Sequence, residues 1–257
     1  FESLALPAPV LGFWRPPQNL TRPAGVLASS AILSIYIEGD GAAWRERTQP
    51  PSDPTPSDGL AARLAQADLE NWVVYLGRPC QYLTAKERAG CDPQWWQGAR
   101  YGDAVITLMQ NAITSAIQHI ESHRQTQLAN PPPLKVRLIG YSGGGVLATL
   151  IAQERPEVQC LITVAAPLDL NAWTSGQGVS PLTQSRNPAQ LGQLRDVPQT
   201  HWYGQNDRVV PPQALGNYPW RQLGNRSQVH VLPQYDHRAP WADHWPALLN
   251  RSCPSTP

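Results

Sequence analysis

Gly140-Tyr141-Ser142-Gly143-Gly144 constrains this chain more than any other stretch. Before it runs Leu134-Lys135-Val136-Arg137-Leu138-Ile139, which alternates as a strand does. After it come Val146, Leu147, Leu150 and Ile151, spaced as one face of a helix. A strand, a turn of small residues carrying one serine, and a helix form a G-x-S-x-G nucleophile elbow. The turn is so sharp that strand and helix nearly touch, and side chains flanking the serine would collide; glycine removes them. Ser142 is thereby expected above the sheet edge, at the amide-rich start of a helix. The five-residue pattern also occurs in ordinary βα turns, so the reading needs an acid and a histidine later in the chain.

The length, 257 residues, fits one α/β domain spanning the whole chain, with 165–199 as a possible small cap and 48–59 as a proline-rich loop. A net charge of +1 with 15% charged residues gives no reason to expect nucleic acid or an anionic membrane surface as a partner. No apolar run approaches the length that spans a bilayer, so no transmembrane segment is expected. The chain begins at Phe1 rather than methionine, as a mature or trimmed product would, with any signal peptide outside it.

In chain order, residues 1–24 are broken by prolines and read as an irregular approach to the sheet. Gly25 to Ser29 and then Ala31 to Ile37 read as strands, the second running into the tight turn Glu38-Gly39-Asp40-Gly41. The proline-rich loop is expected over the carboxyl edge of the sheet. Asp58 is expected to cap a helix whose Leu60, Leu64 and Ala67 face inward. Trp72 to Leu76 is a buried strand. A helix from about Tyr101 to His123 carries an apolar stripe, with His119 and His123 solvated at its end. A metalloprotease pair would need glutamate after the first histidine, where Ile120 stands, so no metal site is expected. Cys160 to Val164, Thr200 to Gly204 and Gln228 to Leu232 complete the strands, and a helix near Trp241 to Leu249 closes the fold. Strands alternating with helices give an α/β fold with a mostly parallel central sheet and helices on both faces.

Downstream of Ser142, Asp207 follows a strand in Gly204-Gln205-Asn206-Asp207, and His237 lies on the loop after the last strand. Both positions are beyond the carboxyl ends of strands, where such sheets build their sites. Serine is a weak nucleophile unless a base takes its proton, and an imidazole held by a buried carboxylate is such a base. Asp169 is the alternative acid. Asp236, His230 and His244 suit scaffold positions better.

In these residues the chain resembles the α/β-hydrolase family over about residues 25 to 250, and most of all its exported bacterial members, which share the Glu-Gly-Asp-Gly turn and the Arg78-Pro79-Cys80 loop. The resemblance implies Ser142 as nucleophile, His237 as base and acid, and Asp207 as the residue that orients the imidazole. His237 Nε2 is then expected within hydrogen-bond reach of Ser142 Oγ. The amides of Gly143 and Asp40 are implied as the oxyanion hole, although Glu38 replaces the usual histidine before this turn. An Asp40 carboxylate aimed at the oxyanion would oppose catalysis, so it must point away or be paired. The implied activity is a serine hydrolase acting on a small-molecule ester through an acyl-enzyme, with no metal or organic cofactor. A peptidase or amidase on the same triad, or a binding protein that keeps the fold, are the alternatives. Trp96 and Trp173 are candidates for the substrate pocket.

The four cysteines form no C-x-x-C pair, and disulfides are expected, implying export to the periplasm or beyond. Cys80 and Cys91 flank one loop on the carboxyl side of the sheet. Cys160 opens a strand on the amino side, to which the antiparallel last helix returns Cys253. Geometry therefore pairs Cys80 with Cys91 and Cys160 with Cys253, since crossed bridges would have to span the sheet.

Overall fold

In a computed structural model, residues 1–18, 31–41 and 51–253 are described. Eight strands form one sheet: β1 (Glu2–Leu4), β2 (Gly12–Arg15), β3 (Ile32–Ile37), β4 (Trp72–Leu76), β5 (Lys135–Tyr141), β6 (Val158–Val164), β7 (Gln199–Gly204) and β8 (Ser227–Leu232). Their spatial order is β1-β2-β4-β3-β5-β6-β7-β8. The six strands from β4 to β8 in this order are parallel, and β1 and β2 add an antiparallel edge.

Strand alternation assigns each face its helices. Leu33, Ile35, Val74, Val136 and Leu138 point to the face covered by α2 (Asp103–Gln127) and α3 (Gly143–Glu154). Tyr36, Val73, Ile139, Ile162 and Val164 point to the other, covered by α1 (Leu60–Ala67) and α5 (Trp241–Asn250). The remaining described α-helix, α4 (Leu170–Gln177), follows β6 at the carboxyl edge. Within 165–199, Leu182 and Leu191 pack onto the main core, and Ser185 Oγ donates to Gly98 O at 2.7 Å.

Two local expectations are corrected. Residues 1–24 are not wholly irregular, because the prolines lie between strands: Phe13 and Trp14 pair with β4, and Trp14 stacks on Trp72 at 6.4 Å. Asp58 does not cap α1. The chain enters that helix through Gly59 in the left-handed region (φ 50°), and Asp58 instead pairs with Arg238 at 3.3 Å. His119 is exposed and His123 half-buried, as expected of solvated histidines, and both also sit edge-on to Trp14, at 4.9 and 4.7 Å. The strand expected at 25–29 lies outside the described residues.

The cysteines pair as Cys80–Cys91 and Cys160–Cys253, with Cα separations of 6.2 and 5.8 Å. The first closes the loop from Cys80 to Cys91, two residues after Arg78. The second ties the residues after α5 to the core strand β6. No helix among the described residues is long and apolar enough to cross a membrane.

Candidate active site

β5 ends at Tyr141 and α3 begins at Gly143, so Ser142 alone forms the turn. Its backbone sits at φ 52°, ψ −125°, a conformation that L residues rarely adopt. Two anchors hold it there: Ser142 N–H donates to Val164 O at 2.8 Å, and Gly145 N–H donates to Ser142 O at 2.9 Å. A side chain on Gly140 would run into the backbone of Gly144 and Gly145, which is why the position before Tyr141 carries none.

Asp207 is almost fully buried, just past the end of β7. Its Oδ1 accepts the amides of Val209 and Val210, both at 2.8 Å. That turn leaves Oδ2 aimed at His237 Nδ1, at 2.8 Å. A carboxylate on Nδ1 holds the imidazole with Nδ1 protonated and Nε2 free to accept a proton. The loop bearing His237 is braced from several sides. Asp236 Oδ1 accepts the amides of Arg238 and Ala239, Trp241 Nε1 donates to Asp236 O at 2.8 Å, and Tyr141 Oη donates to His237 O at 2.9 Å.

Ser142 and His237 line one cavity of about 240 Å³, with Asp40, Arg100, Tyr141, Trp173 and Val210 among its walls. No hydrogen bond joins Ser142 Oγ to His237 among the described residues, so the expected contact is not closed in this state. Such contacts are often long before substrate arrives. A larger cavity of about 630 Å³ beside α1, lined by Leu11, Phe13, Tyr75 and Tyr82, contains neither residue.

The turn after β3 forms the opposite wall. Glu38 is fully buried, and its carboxylate gathers Gly39 N–H at 2.9 Å, Tyr75 Oη at 2.9 Å, Ala61 N–H at 3.4 Å and Tyr82 Oη at 3.5 Å. Burial raises its pKa, and these donors oppose the rise. Binding Gly39 N–H inward leaves the next amide, Asp40 N–H, without an acceptor among the described residues; Gly143 N–H is equally free. The Asp40 carboxylate lies against Gly143 Cα, where a Cβ would collide with it. It is paired with Arg78, with Arg100 Nη1 at 3.5 Å and with Tyr101 Oη at 2.6 Å.

No protein-family model and no curated protein sequence matches the chain. Solved structures do. An α/β serine hydrolase without lid from Xanthomonas campestris superposes with a TM-score of 0.56 at 17% identity, covering 99% of this chain and 95% of the other. The chain has the α/β-hydrolase fold. An esterase of Pyrococcus furiosus aligns with a TM-score of 0.58 at 13% identity over 97% of this chain and 89% of its own. A puromycin-hydrolyzing peptidase of Mycobacterium tuberculosis reaches 0.61 at 14% identity, over 96% of this chain and 37% of that longer one.

Within this α/β-hydrolase fold, the other sequence candidates fall outside the cavity or into other duties. Asp169 caps α4 through the amides of Asn171 and Ala172, also accepts from Asn187 Nδ2 and Asn217 N–H, and lines a different cavity from His237. His230 stacks on Trp202 at the sheet edge, and His244 bonds Tyr235 Oη. Trp173 lines the cavity, its indole donating to Val209 O at 2.8 Å. Trp96 does not line it; its indole holds Pro51 O at 2.9 Å and so anchors the proline-rich loop. Sequence reasoning missed Tyr141 as a brace for His237, and missed the Arg78, Arg100 and Tyr101 shell around Asp40. The G-x-S-x-G pattern leaves its second position free, so nothing local marked Tyr141. No sequence pattern links Arg100 to a turn sixty residues earlier.

Proposed function

We propose that this protein is a serine hydrolase that cleaves carboxylic esters through an acyl-enzyme, with Ser142, His237 and Asp207 as its triad. The observation that carries the reading is the 2.8 Å contact from His237 Nδ1 to Asp207 Oδ2 at the wall of the cavity that also exposes the elbow serine. In this mechanism His237 Nε2 takes the Ser142 proton as Oγ attacks the ester carbonyl. The negative charge that develops on the carbonyl oxygen meets Gly143 N–H and Asp40 N–H, two donors aimed in advance. The imidazolium returns its proton to the leaving alcohol, and a water activated by the same base releases the acid. The names of the solved neighbours, serine hydrolase and esterase among them, support this choice of chemistry. The two disulfides support work in an oxidising compartment, and so export.

A fluorophosphonate probe followed by intact-mass measurement tests the reading. One covalent adduct is expected on the wild-type protein, and none on Ser142→Ala. An unlabelled wild-type protein, folded by circular dichroism, would favour a binding protein; labelling that survives Ser142→Ala would move the nucleophile elsewhere.

A further inference from the structure

The Asp40 carboxylate is faced by two guanidinium groups. Arg78 lies beneath it, fully buried, with Nη2 donating to Arg100 O at 2.7 Å and its head over the Tyr101 ring at 5.2 Å. Arg100 is also buried, at 3% exposure, yet it forms part of the catalytic cavity wall. Its Nε donates to Gln97 O at 2.7 Å and its Nη1 faces Asp40. The guanidinium also lies beside the Tyr101 hydroxyl, and no carboxylate other than Asp40 pairs with it among the described residues.

The other charges that line the cavity among the described residues are already matched. Asp58 and Arg238 pair with each other, and Asp207 is spent on His237 and two amides. Around Asp40, among the described residues, there is one carboxylate for two guanidiniums, so one positive charge is left there, and it is the one on the cavity wall. A cation this buried has lost most of its water, so an anion that reaches it gains a charge-assisted hydrogen bond at little further desolvation.

We propose that Arg100 is a specificity-determining residue that receives a carboxylate on the acyl part of the substrate, so that half-esters of short dicarboxylic acids are preferred to neutral esters. This deepens the hydrolase reading and rests on it. Arg100 faces the side chain of the residue whose amide points at the developing oxyanion, which keeps the bound anion near the scissile carbonyl. The leaving alcohol belongs with His237, which must protonate it, so the group bordering Arg100 is the acyl chain. The cavity of about 240 Å³ has room for a short one.

The test compares kcat/KM for monoethyl glutarate and for ethyl pentanoate, which share chain length and leaving group, by the rate of acid release. The wild-type ratio is expected to favour the half-ester at least tenfold. In Arg100→Gln that ratio should fall by about 10- to 100-fold, the range of one charge-assisted hydrogen bond, and Arg100→Lys should recover part of it. The ratio is the readout because any disturbance of the Asp40 turn affects both esters together. If Arg100→Gln does not fold, the wild-type ratio decides alone. A wild-type ratio of one or less overturns the proposal, as does a ratio unchanged in folded Arg100→Gln. A stronger preference for an ester with the carboxylate on its alcohol part overturns the acyl placement. Any of these leaves the hydrolase reading standing, whereas a protein that cleaves neither ester and takes no probe at Ser142 loses both.

Discussion

Ser142→Ala and His237→Ala are each expected to lower kcat on the order of a million-fold, and the double variant little further, because nucleophile and base act as a unit. Without Oγ there is no acyl-enzyme to form. Without the imidazole, Oγ keeps its proton at neutral pH and the oxyanion amides have no developing charge to stabilise. Asp207→Asn should cost less, on the order of 10⁴-fold, since it removes the carboxylate that fixes the productive tautomer but leaves nucleophile and base in place. The measurement is steady-state turnover of an activated ester by the singles, the double and the Asp207 variant, each checked for folding. Multiplicative losses in the double variant, or a single variant within a hundredfold of wild type, would count against the triad.

The second large effect concerns the Cys160–Cys253 bridge. It closes 93 residues of chain, and in the loop-entropy model such a bridge stabilises by up to about 4.7 kcal/mol. For a domain of this size that corresponds to a melting temperature lower by about 10–20 °C when both cysteines are replaced by serine. The bridge has local support that outlasts it: Cys253 N–H donates to Thr200 Oγ1 at 2.9 Å, and Trp202 Nε1 donates to Ser252 Oγ at 3.0 Å. These contacts lower the loss toward the small end of the range. Calorimetry of the double serine variant checks it, and a shift of only a degree or two would show that the chain end contributes little. The Cys80–Cys91 bridge closes only 11 residues, worth up to about 3 kcal/mol. Its loss should appear first in substrate handling, because Cys80 lies two residues from the Arg78 that supports Asp40.

Much of this was legible in the sequence because its signals are local. The elbow and the β-branched runs of β3 and β4 each sit in a few consecutive residues, and the candidate acid and histidine each follow a locally readable strand end. The cysteine pairing was legible from the direction of the elements alone. What escaped depended on contacts between distant segments. The edge strands β1 and β2 were hidden by prolines that turned out to lie between strands rather than inside them. Asp58 looked like a helix cap because Asp before an apolar run usually is one, but Gly59 in a left-handed conformation moved the helix start past it. The requirement that the Asp40 carboxylate point away or be paired was readable from the chemistry. Its partners Arg78, Arg100 and Tyr101 were not, since the pairing exists only after β3, β4 and the loop before α2 are brought together.

The backbone of Ser142 carries a consequence for the protein's evolution as well as its chemistry. A residue with a side chain is held where glycine would rest with less strain, a penalty on the order of 1–3 kcal/mol. Activity and stability therefore pull this position toward different amino acids. Ser142→Gly should melt at a higher temperature than Ser142→Ala, although both are inert, because only glycine relieves the strain. Under the proposed mechanism, drift without selection for turnover would favour the glycine.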